Sequence, residues 1–238
     1  MFRLTQEDGV ARLTLDRPEA RNAIPAEGWN QLRDTLAKVA GARLLLVSGE
    51  GGAFCAGADL SDFAAMRRDA GAAARFRVEM RAALDTLRAL PVPTIAVISG
   101  PCYGAGVALA MACDLRVAAP SAIFAITPAK IGLSYPQEDV HRLVSLVGPG
   151  QAARLLFTGA TIAAAEAWRI GLVELLGEDK DALVATILAN ERESIAALKA
   201  AVELASAGVR SDASQDRRFD DLVAGEALAA RLEALRRK

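Results

Sequence analysis

One stretch of the chain indicates a strand, a tight turn and a helix in direct succession: Thr94-Ile95-Ala96-Val97-Ile98-Ser99-Gly100-Pro101-Cys102-Tyr103-Gly104-Ala105-Gly106, followed by apolar residues up to Ala112. The residues from Thr94 to Ser99 favour a strand, and the glycines after them favour a turn. The helix that follows begins with backbone N–H groups that have no intrahelical partner and lie at its positive dipole end. Such groups can hold a negatively charged oxygen.

A second turn of the same kind lies earlier in the chain. It reads Phe54-Cys55-Ala56-Gly57-Ala58-Asp59-Leu60 and follows the strand-like run Leu44 to Ser48. We expect the two turns to form the halves of an oxyanion hole, which is a pair of N–H donors that stabilises negative charge on a reacting oxygen. Between Asp62 and Asp114, acidic residues occur only within the predicted helical segment that ends near Ala89. The usual proton-transfer groups are therefore missing around these turns.

Composition excludes several classes of protein. The chain has 238 residues, a formal net charge of -1 and a pI near 6.0. Its length allows a large core without help from disulfides, and no metal site is predicted. It lacks the excess of basic residues that is typical of nucleic-acid-binding proteins, so no nucleic acid partner is expected. Three cysteines are an odd number, and no apolar signal segment begins the sequence, which together predict a cytoplasmic location.

The uncharged run from Ala89 to Cys113 is long enough to suggest a membrane span. Prolines and glycines interrupt it, so it predicts a buried strand, a turn and a buried helix instead. No membrane partner is expected.

Periodicity predicts an α/β body followed by a helical tail. Val10 to Leu15 alternates apolar and polar residues, as a half-buried strand does, and short strand-like runs recur up to Ala122–Ala125. Helical spacing dominates after them. We predict an α/β core over residues 1–180 and a C-terminal helical region over residues 181–238.

The chain resembles the crotonase, or enoyl-CoA hydratase/isomerase, superfamily over nearly its whole length. The resemblance rests on motifs in the expected order and spacing: Arg17 to Ala23, Phe54 to Leu60, Gly100 to Asp114, Phe124 to Gly132, Arg142-Leu143, Phe157 to Gly159, Ala164 to Val173 and Arg218 to Leu222. It implies a spiral of ββα units and a helical C-terminal region that forms a homotrimer or a dimer of trimers. It also implies an acyl-CoA substrate, with coenzyme A as part of that substrate and no tightly bound cofactor.

The resemblance also implies roles for particular residues. The backbone N–H groups of Ala58 and Ala105 match the positions that receive the thioester oxygen. Four residues match positions that wrap the adenine and pantetheine of coenzyme A: Ala23, Ala56, Asp59 and Leu60. Arg21 lies near the position of a basic residue that contacts the coenzyme A phosphate. An arginine near a phosphate is favourable because its N–H groups make charge-assisted hydrogen bonds.

The sequence departs from the family at the catalytic carboxylates. Ala108 and Pro128 occupy the positions of the two glutamates that hydratases of this family use. Neither residue can transfer a proton, and activating water with a carboxylate pair needs both. Hydration by the usual mechanism is therefore not expected.

The segment from Phe124 to Tyr135 is most similar to methylmalonyl-CoA decarboxylase-like members, which have a threonine and a tyrosine where this chain has Thr127 and Tyr135. Decarboxylation needs no strong base, because loss of carbon dioxide itself generates the enolate. The similarity is partial, since Ala58 and Ala108 replace a histidine and a glutamate of those members.

Several residues keep two interpretations. Tyr135 is predicted either to act in catalysis or substrate orientation, or merely to lead into a helix. Glu138 and Asp139 lie in the first turn of that helix, where the dipole favours acids. Alternatively, Glu138 or Asp139 replaces the missing glutamates in proton transfer. Trp29 and Trp168 are predicted to lie in the core.

Two functions from different classes follow. One is an acyl-CoA enzyme of decarboxylase-like or isomerase-like chemistry that stabilises an enolate-like intermediate. The other is a catalytically depleted acyl-CoA-binding or scaffold protein. A carboxylate near the thioester would favour the first, and a wholly apolar acyl pocket would favour the second.

Overall fold

The computed structural model describes residues 1–69, 71–177 and 180–237. In those residues the strands are β1 (Phe2–Glu7), β2 (Val10–Leu15), β3 (Leu44–Gly49), β4 (Thr94–Ile98), β5 (Pro101–Tyr103), β6 (Leu115–Ala118), β7 (Ile123–Ala125), β8 (Ile162–Ala163) and β9 (Leu175–Leu176). The α-helices are α1 (Gly28–Leu36), α2 (Leu60–Met66), α3 (Ala72–Arg88), α4 (Ala105–Ala112), α5 (Gln137–Thr158), α6 (Ala164–Arg169), α7 (Lys180–Ala189), α8 (Arg192–Ser206), α9 (Ala213–Ala224) and α10 (Glu226–Arg236).

From β4 onward the chain passes back and forth between two sheets. The larger sheet has the order β1-β2-β3-β4-β6-β9, and the smaller one has the order β5-β7-β8. Within the larger sheet only the β1-β2 pair is antiparallel, whereas β2, β3, β4, β6 and β9 run parallel. The chain therefore winds from one sheet to the other and back, which confirms the predicted α/β spiral.

Both faces of the larger sheet are covered. Continuous apolar runs such as Leu44–Val47 are fully buried, as expected for parallel strands between helical layers. On one face pack α1, α3 and α4, and α4 is buried nearly all round because its sequence is apolar on every side. On the other face Val184 of α7 packs against Leu46 and Ile95. The division into residues 1–180 and 181–238 stays a prediction.

A helical C-terminal region is present, as the sequence predicts. Helices α8, α9 and α10 follow one another and contain no buried residues. They leave large apolar side chains exposed: Leu198, Val202, Phe219, Val223 and Leu235.

The two tryptophans differ in burial. Trp29 is fully buried, as predicted, but Trp168 is 54% exposed and the prediction for it is wrong. The cause is local, because α6 is short and contacts the body through its small residues Ala164 and Ala167. Trp168 lies on the opposite side of α6 and is therefore exposed.

Candidate active site

The loops that follow β2, β3 and β4 meet at one edge of the larger sheet, because the carboxyl ends of parallel neighbouring strands lie together. The first two loops are joined by backbone hydrogen bonds. The N–H of Ile24 donates to the carbonyl oxygen of Gly57 at 2.8 Å, and the N–H of Ala56 donates to that of Arg21 at 2.9 Å. The loop around Arg21 is thereby fixed to the first glycine turn.

The second and third loops are joined in the same way. The N–H of Cys55 donates to the carbonyl oxygen of Pro101 at 3.0 Å, and the N–H of Tyr103 donates to that of Cys55 at 2.9 Å. The two glycine turns that the sequence singles out are therefore direct neighbours.

Glycine is required where the turns touch. Gly57 has φ = 104°, a conformation that residues with a side chain rarely adopt. A β-carbon on Gly57 would lie 2.8 Å from the carbonyl oxygen of Tyr103 and 3.4 Å from the backbone nitrogen of Ala105. The absence of a side chain thus brings the first turn against the start of α4.

Two backbone donors are left free at this contact. In the part of the chain that the structure describes, the N–H groups of Ala58 and Ala105 have no hydrogen-bond acceptor. Both residues line the same cavity. The N–H of Ala105 also belongs to the first residue of α4, where the helix dipole adds positive potential. This arrangement can bind a partly or fully negative oxygen.

The cavity has a volume of about 380 Å³ and is mainly apolar. This volume falls in the range of small-molecule sites. Apolar side chains from α2, α3 and the loop before α5 line it: Leu60, Phe63, Met66, Phe76, Met80, Ile131 and Leu133. The rings of Phe63 and Phe76 pack edge to face with centroids 5.5 Å apart. The wall suits a hydrocarbon chain.

Tyr135 lines the cavity, and its hydroxyl donates a hydrogen bond to the carbonyl oxygen of Gly104 at 3.0 Å. Burial raises the pKa of Tyr135 well above its ordinary value, and the nearby Asp139 raises it further. The phenol therefore stays protonated at neutral pH. It can donate a hydrogen bond but cannot act as a base.

Ala108 and Pro128, which the resemblance aligns with the glutamates of hydratases, carry no acidic or basic side chain. Pro128 lines the cavity beside Thr127, whereas Ala108 is buried in α4 and is not part of the cavity wall. Thr127 supplies a hydroxyl group, which is a weak donor and acceptor and not an acid or base at neutral pH.

Asp139 contributes a carboxyl group to the cavity. The residue is 3% exposed and lines the cavity, and its Oδ1 accepts a hydrogen bond from the guanidinium of Arg81 at 2.7 Å. Its Oδ2 is buried with no hydrogen-bond partner among the described residues. Burial raises the pKa of Asp139, and the charge of Arg81 opposes that rise. Glu138, the neighbouring candidate, is exposed and outside the cavity wall.

Sequence reasoning missed Arg81. In α3 it lies one residue after the buried Met80, at the border of the apolar stripe, and only 19% of its side chain is exposed. An arginine at the edge of an otherwise apolar helix face is a weak signal of a buried ionic partner.

The residues predicted to contact coenzyme A are divided between the cavity and its rim. Ala56 and Leu60 line the cavity. Arg21 is exposed on the adjoining loop, and the carbonyl oxygen of Ala23 accepts a hydrogen bond from Arg17 at 3.1 Å. Each contact of these residues with a ligand stays a prediction.

The side chain of Asp59, also predicted to contact coenzyme A, already has protein partners. Its Oδ2 accepts a hydrogen bond from Arg17 at 2.6 Å, and its Oδ1 accepts one from the backbone N–H of Ser61 at 3.1 Å, which caps α2. The hydrogen bond from Arg17, followed by those from Ser61, lowers the pKa of Asp59 to about 2. Asp59 is therefore ionised throughout the physiological range.

Asn22, which the sequence analysis did not single out, stabilises the same loops. It is fully buried and has φ = 59°, a backbone conformation that asparagine tolerates. Its Nδ2 donates to the carbonyl oxygens of Glu50 at 2.9 Å and Ala53 at 2.8 Å, and its Oδ1 accepts from the N–H of Arg17. One side chain thus ties the loop after β2 to the loop after β3.

The cysteines beside the turns are not nucleophiles. Burial raises the pKa of the Cys55 thiol to about 12 and that of Cys102 well above its ordinary value. Within residues 1–69, 71–177 and 180–237, no cluster of His, Cys, Asp and Glu could hold a metal ion. No helix of the same residues is both long and apolar enough to cross a membrane.

Two alternating sheets, adjoining glycine turns and an apolar cavity at their edge are the features of a crotonase-type protein. The family profile described as enoyl-CoA hydratase/isomerase matches residues 5–229. A Mycobacterium leprae protein named probable enoyl-CoA hydratase echA6 is 39% identical over 190 residues, which are 76% of this chain and 73% of that protein. The crotonyl-CoA hydratase of Syntrophomonas wolfei is 34% identical over 223 residues, which are 88% of this chain and 82% of that protein.

The fold is also similar to that of solved structures of this family. The crystal structure of an enoyl-CoA hydratase/carnithine racemase from Magnetospirillum magneticum matches with a TM-score of 0.91 at 30% identity, and the match covers 99% of this chain and 92% of that one. The chain belongs to the enoyl-CoA hydratase/isomerase family. The resemblance to the crotonase superfamily is confirmed.

Proposed function

We propose that the protein binds acyl-CoA thioesters and polarises the thioester carbonyl with the N–H groups of Ala58 and Ala105. The single observation that carries this proposal is that both groups lack an acceptor among the described residues and belong to residues that line one apolar cavity. Negative charge that develops on the thioester oxygen would be held by these donors. Relatives named as enoyl-CoA and crotonyl-CoA hydratases support the choice of ligand.

The apolar wall of the cavity provides the binding site for the acyl chain. A chain that extends from the polarised carbonyl would pack against Phe63, Phe76 and Met80. Burial of hydrocarbon contributes about 0.8 kcal/mol for each CH₂ group. Affinity should therefore rise with acyl length until the cavity is full.

The chemistry we propose is enolate formation of the isomerase-like or decarboxylase-like kind, rather than standard hydration. Ala108 and Pro128 supply no acid or base, and a protonated Tyr135 supplies no base. The carboxyl group of Asp139 in the cavity wall favours an enzyme over the alternative, a catalytically depleted acyl-CoA-binding or scaffold protein.

The remaining features of the proposal concern ligand contacts, assembly and location. Coenzyme A would reach the protein as part of the substrate, along Arg21, Ala23, Ala56, Asp59 and Leu60. The exposed apolar side chains of α8 to α10 support assembly into a homotrimer or a dimer of trimers. Three buried cysteines without disulfides support a cytoplasmic location.

Titration calorimetry tests the ligand. Hexanoyl-CoA should bind more tightly than acetyl-CoA, and free coenzyme A should bind more weakly than both. Met80→Trp, which fills the cavity, should abolish the preference for hexanoyl-CoA, whereas Val78→Trp on the exposed side of α3 should preserve it. Failure of the wild-type protein to bind any of the three ligands at millimolar concentration would refute the proposal.

A further inference from the structure

Among the described residues that line the cavity, Asp139 is the only carboxylic acid. The other ionisable residues of that wall are Arg77 and Tyr135. Nearby acids are used elsewhere: Asp59 pairs with Arg17, and Asp62 accepts a hydrogen bond from the N–H of Ala26 at 2.7 Å. Among the described residues of this wall, Asp139 is therefore the one side chain that can act as a base through a carboxylate.

The carboxyl group of Asp139 is held at one oxygen and free at the other. Arg81 contacts Oδ1 at 2.7 Å, and only 4% of the Asp139 side chain is exposed. A buried carboxylate oxygen without a partner costs free energy, so an unpaired Oδ2 calls for an explanation beyond packing. Placement at the first turn of α5 explains why an acid is tolerated there, but not why one of its oxygens lacks a hydrogen bond.

Arg81 comes from α3 and Asp139 from α5, so the ion pair joins two walls of the cavity. Arg81 also lies 3.7 Å from the exposed Asp85, a surface ion pair that contributes little to its position. The hydrogen bond from Arg81 restricts the orientation of the Asp139 carboxyl group. This geometry holds Oδ1 and leaves Oδ2 without a hydrogen-bond partner among the described residues.

We propose that Asp139, oriented by Arg81, is the proton-transfer group for the acyl chain and takes over the task of the two positions held by Ala108 and Pro128. The inference rests on the proposed binding of acyl-CoA thioesters. The class of substrate is a β,γ-unsaturated acyl-CoA, because a single carboxyl group can complete its isomerisation without activating water.

The proton moves in two steps. The carboxylate takes a proton from the carbon next to the thioester carbonyl, the C–H electron pair forms a new C=C bond, and the carbonyl π electrons move onto oxygen. The N–H groups of Ala58 and Ala105 hold that oxygen. The Asp139 carboxylic acid then returns the proton to the γ-carbon, and the electrons shift back to give the α,β-unsaturated thioester. No oxidant, reductant or water is consumed.

The experiment uses 3-hexenoyl-CoA in D₂O. Wild-type protein should convert it to 2-hexenoyl-CoA, followed by enoyl absorbance and by deuterium incorporation. Asp139→Asn keeps the size of the side chain and should lower the rate by about 10²- to 10⁴-fold, the usual contribution of a general acid-base group. Calorimetric binding of hexanoyl-CoA should stay unchanged, which separates a lost proton transfer from a lost fold.

Asp85→Asn is the matched control. It makes the same chemical change at an acid that contacts the same arginine, but Asp85 is exposed and outside the cavity. Its rate should stay within about twofold of the wild type.

Arg81→Gln tests positioning through the pH profile. The wild-type rate should rise with pH as the Asp139 carboxyl group ionises. Removing Arg81 should move that rise to higher pH, because a cation that favours the carboxylate is lost. Among the described residues, the other charged or titratable groups near Asp139 are Glu138 and Arg142 of α5, the adjoining Tyr135, and Arg77 of α3, which lines the same cavity. All of them remain in the variant. If Arg81 had a purely structural role, the rate would rise at the same pH in the variant as in the wild type.

Three results overturn the inference. If Asp139→Asn converts 3-hexenoyl-CoA within about threefold of the wild-type rate, another group transfers the proton. If the wild-type protein binds hexanoyl-CoA but neither isomerises nor exchanges 3-hexenoyl-CoA, the assignment of Asp139 fails while acyl-CoA binding stands. If the wild type binds no acyl-CoA at all, the proposed function fails and the inference falls with it.

Discussion

The hydroxyl of Tyr135 donates a hydrogen bond to the carbonyl oxygen of Gly104 at 3.0 Å. That oxygen belongs to the same peptide unit as the N–H of Ala105, the second of the two free donors at the cavity. Because a peptide unit is planar, fixing its oxygen also fixes the direction of its N–H. The same oxygen also accepts hydrogen bonds from the N–H groups of Val107 at 2.9 Å and Ala108 at 3.2 Å, so Tyr135 is one of three donors that fix this plane.

Tyr135→Phe should therefore weaken the orientation of one oxyanion donor without removing it. A hydrogen bond of this kind contributes about 1 kcal/mol, so the turnover number should fall by about fivefold. The affinity for hexanoyl-CoA should change little, because the phenyl ring still fills its place. Steady-state kinetics with 3-hexenoyl-CoA and calorimetry measure the two quantities. A fall in affinity with unchanged turnover would show that Tyr135 acts on binding instead.

Ala105→Pro should remove the second donor altogether. Proline has no N–H and is tolerated at the first position of a helix, which Ala105 occupies in α4. Loss of one oxyanion donor costs about 2.7 to 4 kcal/mol of transition-state stabilisation, so turnover should fall by about 10²- to 10³-fold. Ala105→Gly, which keeps the N–H, is the control and should retain most of the activity. Equal activity of the folded Pro and Gly variants would contradict the role of this N–H.

Gly57→Ala should separate the two turns. The new β-carbon would lie 2.8 Å from the carbonyl oxygen of Tyr103, and φ = 104° adds backbone strain. We expect the free energy of unfolding to fall by about 1 to 3 kcal/mol from strain alone, with a further loss from the clash. Turnover should fall as Ala58 is displaced.

Gly52→Ala provides the comparison for that variant. Gly52 also has a positive φ, 79°, but a β-carbon there would meet nothing within 4 Å. It should show the strain without the clash and without the loss of turnover. Urea unfolding and kinetics of both variants give the difference, and identical behaviour of the two would show that contact with Tyr103 is unimportant.

The sequence was sufficient to predict the two turns and their proximity to each other. Each turn follows a strand-like run, and parallel neighbouring strands bring the loops at their carboxyl ends together. The alternation of strands between two sheets rested on the resemblance to the crotonase superfamily. Burial of Trp168 could not be predicted correctly, because periodicity does not reveal that α6 packs through Ala164 and Ala167.

The ion pair between Arg81 and Asp139 could not be predicted from the sequence, for a different reason. The residues are 58 positions apart and meet only because α3 and α5 enclose the same cavity. An acid in the first turn of a helix is already explained by the helix dipole, so Asp139 carried no distinguishing signal. Only its burial and its unpaired oxygen separate it from the exposed Glu138.

Asp59 should make the stability of the protein depend on pH in the acid range. The hydrogen bond from Arg17 lowers the pKa of Asp59 to about 2 in the folded state, below that of an aspartate in the unfolded chain. A lowered pKa stabilises the folded protein at pH values above the unfolded pKa. That stabilisation is lost as the pH falls from about 4 towards about 2. Because both side chains are partly exposed, solvent screening reduces its size to about 1 kcal/mol at neutral pH.

Asp59→Asn isolates this charge, since asparagine can still cap α2 as the aspartate does. At pH 7 the variant should be less stable than the wild type by about 1 kcal/mol in urea unfolding. Near pH 2 the two proteins should converge, because the protonated aspartic acid and the asparagine that replaces it are both neutral. Asp34→Asn is the control, because Asp34 has no ion pair in the described part of the chain. A difference between wild type and Asp59→Asn that persists unchanged from pH 7 to pH 2 would show that the Arg17 ion pair does not cause it.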